Sequence, residues 1–126
     1  MEETLDSLYD EANDFIPKSG LKFVPDSKDP ETDTKIMAYV LANCAFEDDF
    51  QALVTSHDVK EFLTKRGVME ADIYKSMSRL NSYFIPQGRV ICEIDGKGVW
   101  VPLYRPSSIF KQMGIRYVER GLERDI

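Results

Sequence analysis

Within the stretch MEADIYKSMSRL, residues 69–80, the hydroxyl-bearing Tyr74 and Ser78 each precede a cation, Lys75 and Arg79. Residues four apart are neighbours on a helix surface. A helix here therefore sets Tyr74 beside Ser78 and Lys75 beside Arg79. The chemistry open to such a set is non-covalent: Lys and Arg reach phosphates and guanine edges, and hydroxyls bond phosphate oxygens. At about 100° of rotation per residue, the apolar Ile73, Met77, Leu80 and Phe84 share the opposite arc. The polar set is thereby turned toward solvent or a partner.

Elsewhere the chemistry-bearing residues do not combine. His57 is the sole histidine and sits beside Asp58, with no second histidine or nearby cysteine to complete a zinc site. Cys44 and Cys92 are isolated, which excludes a CxxC site or a disulfide framework and predicts two reduced, buried thiols. Glu47, Asp48 and Asp49 lack the spaced ligands and glycine of a calcium loop. The turn DGKG, residues 95–98, is too short to cradle a phosphate, and no nucleotide-binding or nucleophile-elbow motif occurs. The sequence predicts neither an enzyme nor a cofactor.

The elements that position these residues follow from periodicity. Leu5, Leu8, Tyr9, Ala12 and Phe15 or Ile16 recur at helical spacing with carboxylates opposite, predicting an amphipathic helix that ends before Pro17. A proline-rich connection follows, with room for an extended piece at Leu21 to Val24. A second helix is predicted from a cap at Thr32 or Asp33, burying Ile36, Met37, Val40, Leu41 and Cys44. The segment FEDDFQALV continues it in helical or turn-like fashion, with Phe46, Phe50 and Leu53 inward. Thr55 and Asp58 have capping-box spacing ahead of Val59, Phe62 and Leu63, and Gly67 can close that helix in the left-handed conformation. After the helix at 70–83 the period changes to two. Val90, Cys92 and Ile94 on one run face Val99, Val101 and Leu103 on another, across a hairpin turn at Asp95 to Gly98. Trp100 and Tyr104 lie on the other face of the second run, where Trp100 is expected to pack across the hairpin or beneath the C-terminal segment. Ser107 or Ser108 can cap a last helix bearing Ile109, Phe110, Met113 and Tyr117.

Over residues 34–104, the order of helix, capped helix, glycine turn, third helix and hairpin resembles the winged helix-turn-helix superfamily. That resemblance implies an α+β, mainly helical fold with additional N- and C-terminal helices. Its divisions are an acidic helix and linker (1–33), the winged helix domain (34–104) and a C-terminal helix (105–126). It further implies that residues 70–83 are a recognition helix turning Tyr74, Lys75, Ser78 and Arg79 to the major groove of double-stranded DNA, while Arg89 and Lys97 on the hairpin meet phosphates. The function implied is that of a small transcriptional regulator. Such proteins commonly pair through helices outside the motif, and Leu5 to Ile16 and Ile109 to Leu122 are the segments available for a homodimer. Many members carry Ser or Thr where this chain has Glu70, a carboxylate that suits a helix N-terminus but repels phosphate.

The 126 residues carry a net charge of −6 and a pI near 4.8. Residues 1–33 hold ten acids and three lysines, a net −7, whereas residues 55–126 are net +3. An acidic molecule repels a duplex at long range. This raises a second expectation, a protein-interaction module on the same scaffold whose acidic first third docks a basic partner. No apolar run approaches the length of a membrane span, and the acidic MEETLDSLYDE start is unlike a secretory signal, so a cytoplasmic, non-membrane protein is expected.

Overall fold

The computed structural model describes residues 4–18, 27–46 and 54–107. Helix α1 (Leu5–Lys18) buries Leu8, Tyr9, Ala12, Phe15 and Ile16, the stripe its spacing predicts. It runs past the predicted stop, with Pro17 inside its last turn. Its missing N–H forfeits a single i→i−4 bond, in the last turn of the helix.

Helix α2 (Pro30–Phe46) starts before the predicted cap. Asp29 is the cap, its Oδ1 accepting from the Thr32 backbone N–H at 3.1 Å. Pro30 takes the first helical position, where its missing N–H costs nothing. The carboxylate of Asp29 is held below its usual pKa, first by the hydrogen bond from Thr32. The helix is buried far beyond one stripe: Ala38, Tyr39 and Ala42 join Ile36, Met37, Val40 and Leu41 in the core. It lies between α1 and the helices that follow, so two faces are covered instead of one.

Residues 47–53 and the side chains of Cys44 and Phe46 lie outside the described residues, as do the extended piece at 21–24 and the helix expected from residue 109 onward. Strand β1 (Val54–Thr55) was not expected. It pairs antiparallel with the far end of the hairpin, Val54 opposite Tyr104 and Thr55 opposite Leu103. A two-residue strand carries no periodicity, and only its distant partner defines it.

Thr55 then caps α3 (Ser56–Thr64), its Oγ1 accepting from the Asp58 N–H at 3.0 Å. Val59 and Leu63 enter the core, and Gly67 closes the turn at φ +85°, a conformation that glycine adopts without steric cost. Helix α4 (Glu70–Arg79) ends four residues short of the predicted limit. A 3-10 turn at Asn81–Tyr83 replaces its last turn, and Phe84, buried as expected, opens a strand.

Strands β2 (Phe84–Ile94) and β3 (Lys97–Pro106) form the hairpin and, with β1, an antiparallel sheet of order β1-β3-β2. Its turn is the two residues Asp95 and Gly96, both at positive φ, the geometry that matches the strand twist. A bulge interrupts β2 between Pro86 and Arg89. Gln87 and Gly88 (φ +100°) there share the single partner residue Leu103, a bulge that re-aims the strand. The described part of the chain is thus α+β, mostly helical, with a small sheet. None of its helices is long and apolar enough to cross a membrane.

Candidate functional site

The side chains expected to act together on α4 are distributed over three directions. At about 100° per residue, Ile73 and Leu80 mark the inward direction, and both are fully buried. Lys75 points almost directly away from them and is exposed. Tyr74, 49% exposed, flanks the stripe on the side that faces the hairpin, and Ser78 lies farther out on the same side. Arg79 lies on the opposite flank and turns back toward α2.

There Arg79 meets Asp33. The guanidinium donates through Nη2 at 2.7 Å and Nε at 3.1 Å to Asp33 Oδ1. The same carboxylate accepts from Ser76 Oγ, and its Oδ2 accepts from Ser27 Oγ at 2.6 Å. Asp33 has a side chain only 4% exposed, against 25% for Arg79. The pairing with Asp33 raises the already high pKa of Arg79, so its charge is permanent and already matched. The neutralising carboxylate comes from a residue 46 positions away. This cluster of Asp33, Ser76 and Arg79 ties the start of α2 to the end of α4 and fixes how α4 is presented. One sequence signal pointed to it: Ser76 falls at helical spacing inside the apolar stripe of Ile73 and Leu80, and a buried hydroxyl requires a partner.

Arg89 and Lys97 are both exposed on the hairpin, one beside the bulge and the other at the turn. Two cations of α3 and the turn after it are partly matched. Lys60 lies 3.5 Å from Glu70, and Arg66 bonds Asp6 while its guanidinium stacks 3.7 Å from the centre of the Phe62 ring. Among the described residues of α4 and the hairpin, Lys75, Arg89, Lys97 and Arg105 are exposed cations.

Between α4 and the hairpin runs a groove of about 780 Å³. Tyr74, Met77, Phe84, Trp100 and Tyr104 supply much of its wall, and the first turn of α3 supplies Ser56 and His57. Trp100 is 62% exposed and does not pack away as expected; Ile91, its cross-strand partner, is 60% exposed. Cys92 is half-buried on the hairpin and not in the core. No group of three metal-ligating side chains exists among the described residues.

No family model matches the chain, and no curated protein or solved structure is significantly similar to it.

Proposed function

We propose that the chain is a winged helix module that binds double-stranded DNA in a regulatory role. In this reading α3 and α4 are the helix-turn-helix, and β2 and β3 are the wing. The observation that carries it is the exposed outer face of α4, with Tyr74, Lys75 and Ser78, standing beside a hairpin that presents Arg89 and Lys97. Lys75 and Lys97 act on phosphates or base edges, and Tyr74 and Ser78 add hydroxyl contacts. Arg79 supports the geometry from behind as a positioning residue, because its Nε and Nη2 donate to Asp33. Pairing of two copies falls to the segment after residue 105, since the apolar stripe of α1 is already covered by α2.

A fluorescence-anisotropy titration of a labelled duplex at several salt concentrations tests the assignment. Replacing both Lys75 and Lys97 by alanine should weaken binding about tenfold or more and flatten the salt slope by about two, one for each lost phosphate contact. Equal affinity and an equal slope in parent and double variant would reject it.

A second reading has an observation of its own: Trp100 and Tyr74 expose aromatic surface of the kind that anchors protein partners. Removal of the acidic first third is no clean test of that reading, because α1 is part of the core. Charge reversal at Asp10, exposed on α1, keeps the fold. Loss of a basic protein partner in Asp10→Lys, with no duplex affinity in either form, would favour the interaction module.

A further inference from the structure

We infer that the groove between α4 and the hairpin is a binding site for a small amphiphilic anion, a planar apolar body carrying one acidic head group. Its volume of about 780 Å³ lies within the range of roughly 300–1,000 Å³ typical of small-molecule sites. Its walls suit a flat apolar body. Tyr74 and Trp100 remain substantially exposed there, whereas Tyr9, Phe15 and Tyr39 are buried in the core.

The charge pattern selects the sign of the head group. The chain has 22 Asp plus Glu, yet none of the described side chains lining the groove is a carboxylate. Its ionisable nitrogen-bearing groups are His57 and Lys60, with the hydroxyls of Ser56 and Ser78 and the amide of Asn81 nearby. Lys60 faces Glu70 at 3.5 Å and His57 faces Glu61 at 3.4 Å. Both carboxylates are more than half exposed, and contacts to carboxylates this open to solvent contribute little. An acidic ligand can replace them at little cost. A cationic ligand of the same shape would meet Lys60 with no carboxylate among the described lining residues to receive it. Since Tyr74 and Ser78 belong both to this groove and to the face assigned to DNA, a bound anion would compete with a duplex. The ligand site itself stands apart from that assignment.

Trp100 is the sole tryptophan and lines the groove, so it reports binding directly. Titration of the full chain with anilinonaphthalene sulfonate should saturate at one site, with probe fluorescence rising and Trp100 emission falling at the same midpoint. Lys60→Met should raise Kd about fivefold, the effect of losing one charge-assisted contact. Val99→Asp, which puts a carboxylate into the wall, should raise it about tenfold or more. Met69→Asp, exposed and outside the groove, should leave it unchanged. Naphthoate should displace the probe, and naphthylmethylammonium, the same body with the opposite charge, should not. Circular dichroism identifies any variant that fails to fold, and Lys60→Met at a partly exposed position keeps the test decisive if Val99→Asp does so. Non-saturating binding, an unchanged Kd in folded Lys60→Met, or equal displacement by the cation would overturn the proposal. Displacement by a single-stranded oligonucleotide but not by naphthoate would do the same and assign the groove to a nucleic-acid strand.

Discussion

Asp33 is the most connected polar side chain described, and its chemistry makes it hard to replace. It accepts from Ser27 ahead of α2 and from Ser76 and Arg79 on α4 while nearly shut off from water. Breaking such a pair leaves a partly buried guanidinium and a fully buried hydroxyl without their acceptor, which costs more than the pair itself contributes. Asp33→Ala should therefore lower stability by about 2–4 kcal/mol, measured by urea unfolding. Arg79→Lys should cost about 1 kcal/mol, because an ammonium cannot reproduce the fork of donors. If Arg79 instead read bases directly, Arg79→Lys would change duplex affinity with no loss of stability. The residue scale also shows what sequence could not distribute. Lys75 and Arg79 are neighbours on one helix and of one charge, yet only Lys75 is left for a partner.

At the scale of elements, caps and turns were largely legible, since each depends on a few adjacent residues. Thr55 caps α3 and Gly67 ends its turn where local chemistry placed them. The start of α2 was misplaced because Thr32 and Asp33 are good caps in isolation, while Pro30 restricts the cap to the residue before it. Asp29→Ala should cost about 1 kcal/mol. The folded-state pKa of Asp29 is depressed, so its contribution is fully present above the unfolded carboxylate pKa and is lost as pH falls through the lower folded value. The difference in stability between parent and Asp29→Ala should accordingly shrink on acidification; a constant difference down to acid unfolding would rule out this account. The hairpin was visible from its period of two, whereas the bulge at Gln87 and Gly88 was not, because a bulge is defined by its partner strand.

At the scale of the whole molecule, α1, α2 and α3 are joined through an aromatic cluster. Phe62 sits 4.9 Å from Tyr9 and 4.6 Å from Tyr39, centroid to centroid, with Arg66 above its ring. Burial raises the pKa of both tyrosines, that of Tyr39 to about 12, with Asp58 and Glu61 adding to the effect. A raised folded pKa means that this part of the stability is intact below the unfolded value near 10 and is lost as pH rises toward 12. Thermal melts should fall across that window by on the order of 2 kcal/mol for Tyr39, and Tyr39→Phe should lessen the fall. The same cluster explains why the acidic first helix belongs to the core and not to a detachable arm. For the described residues, the sequence by itself determined that α1 to α4 are helical, where the hairpin turns and which helix faces are apolar, because those properties reside in spacings of two to four residues. Tertiary structure alone decided that Asp33 claims Arg79, that β1 exists, that α2 is covered on two faces and that Trp100 opens onto a groove. Each of those depends on a partner far along the chain, and local periodicity carries no record of which partner arrives.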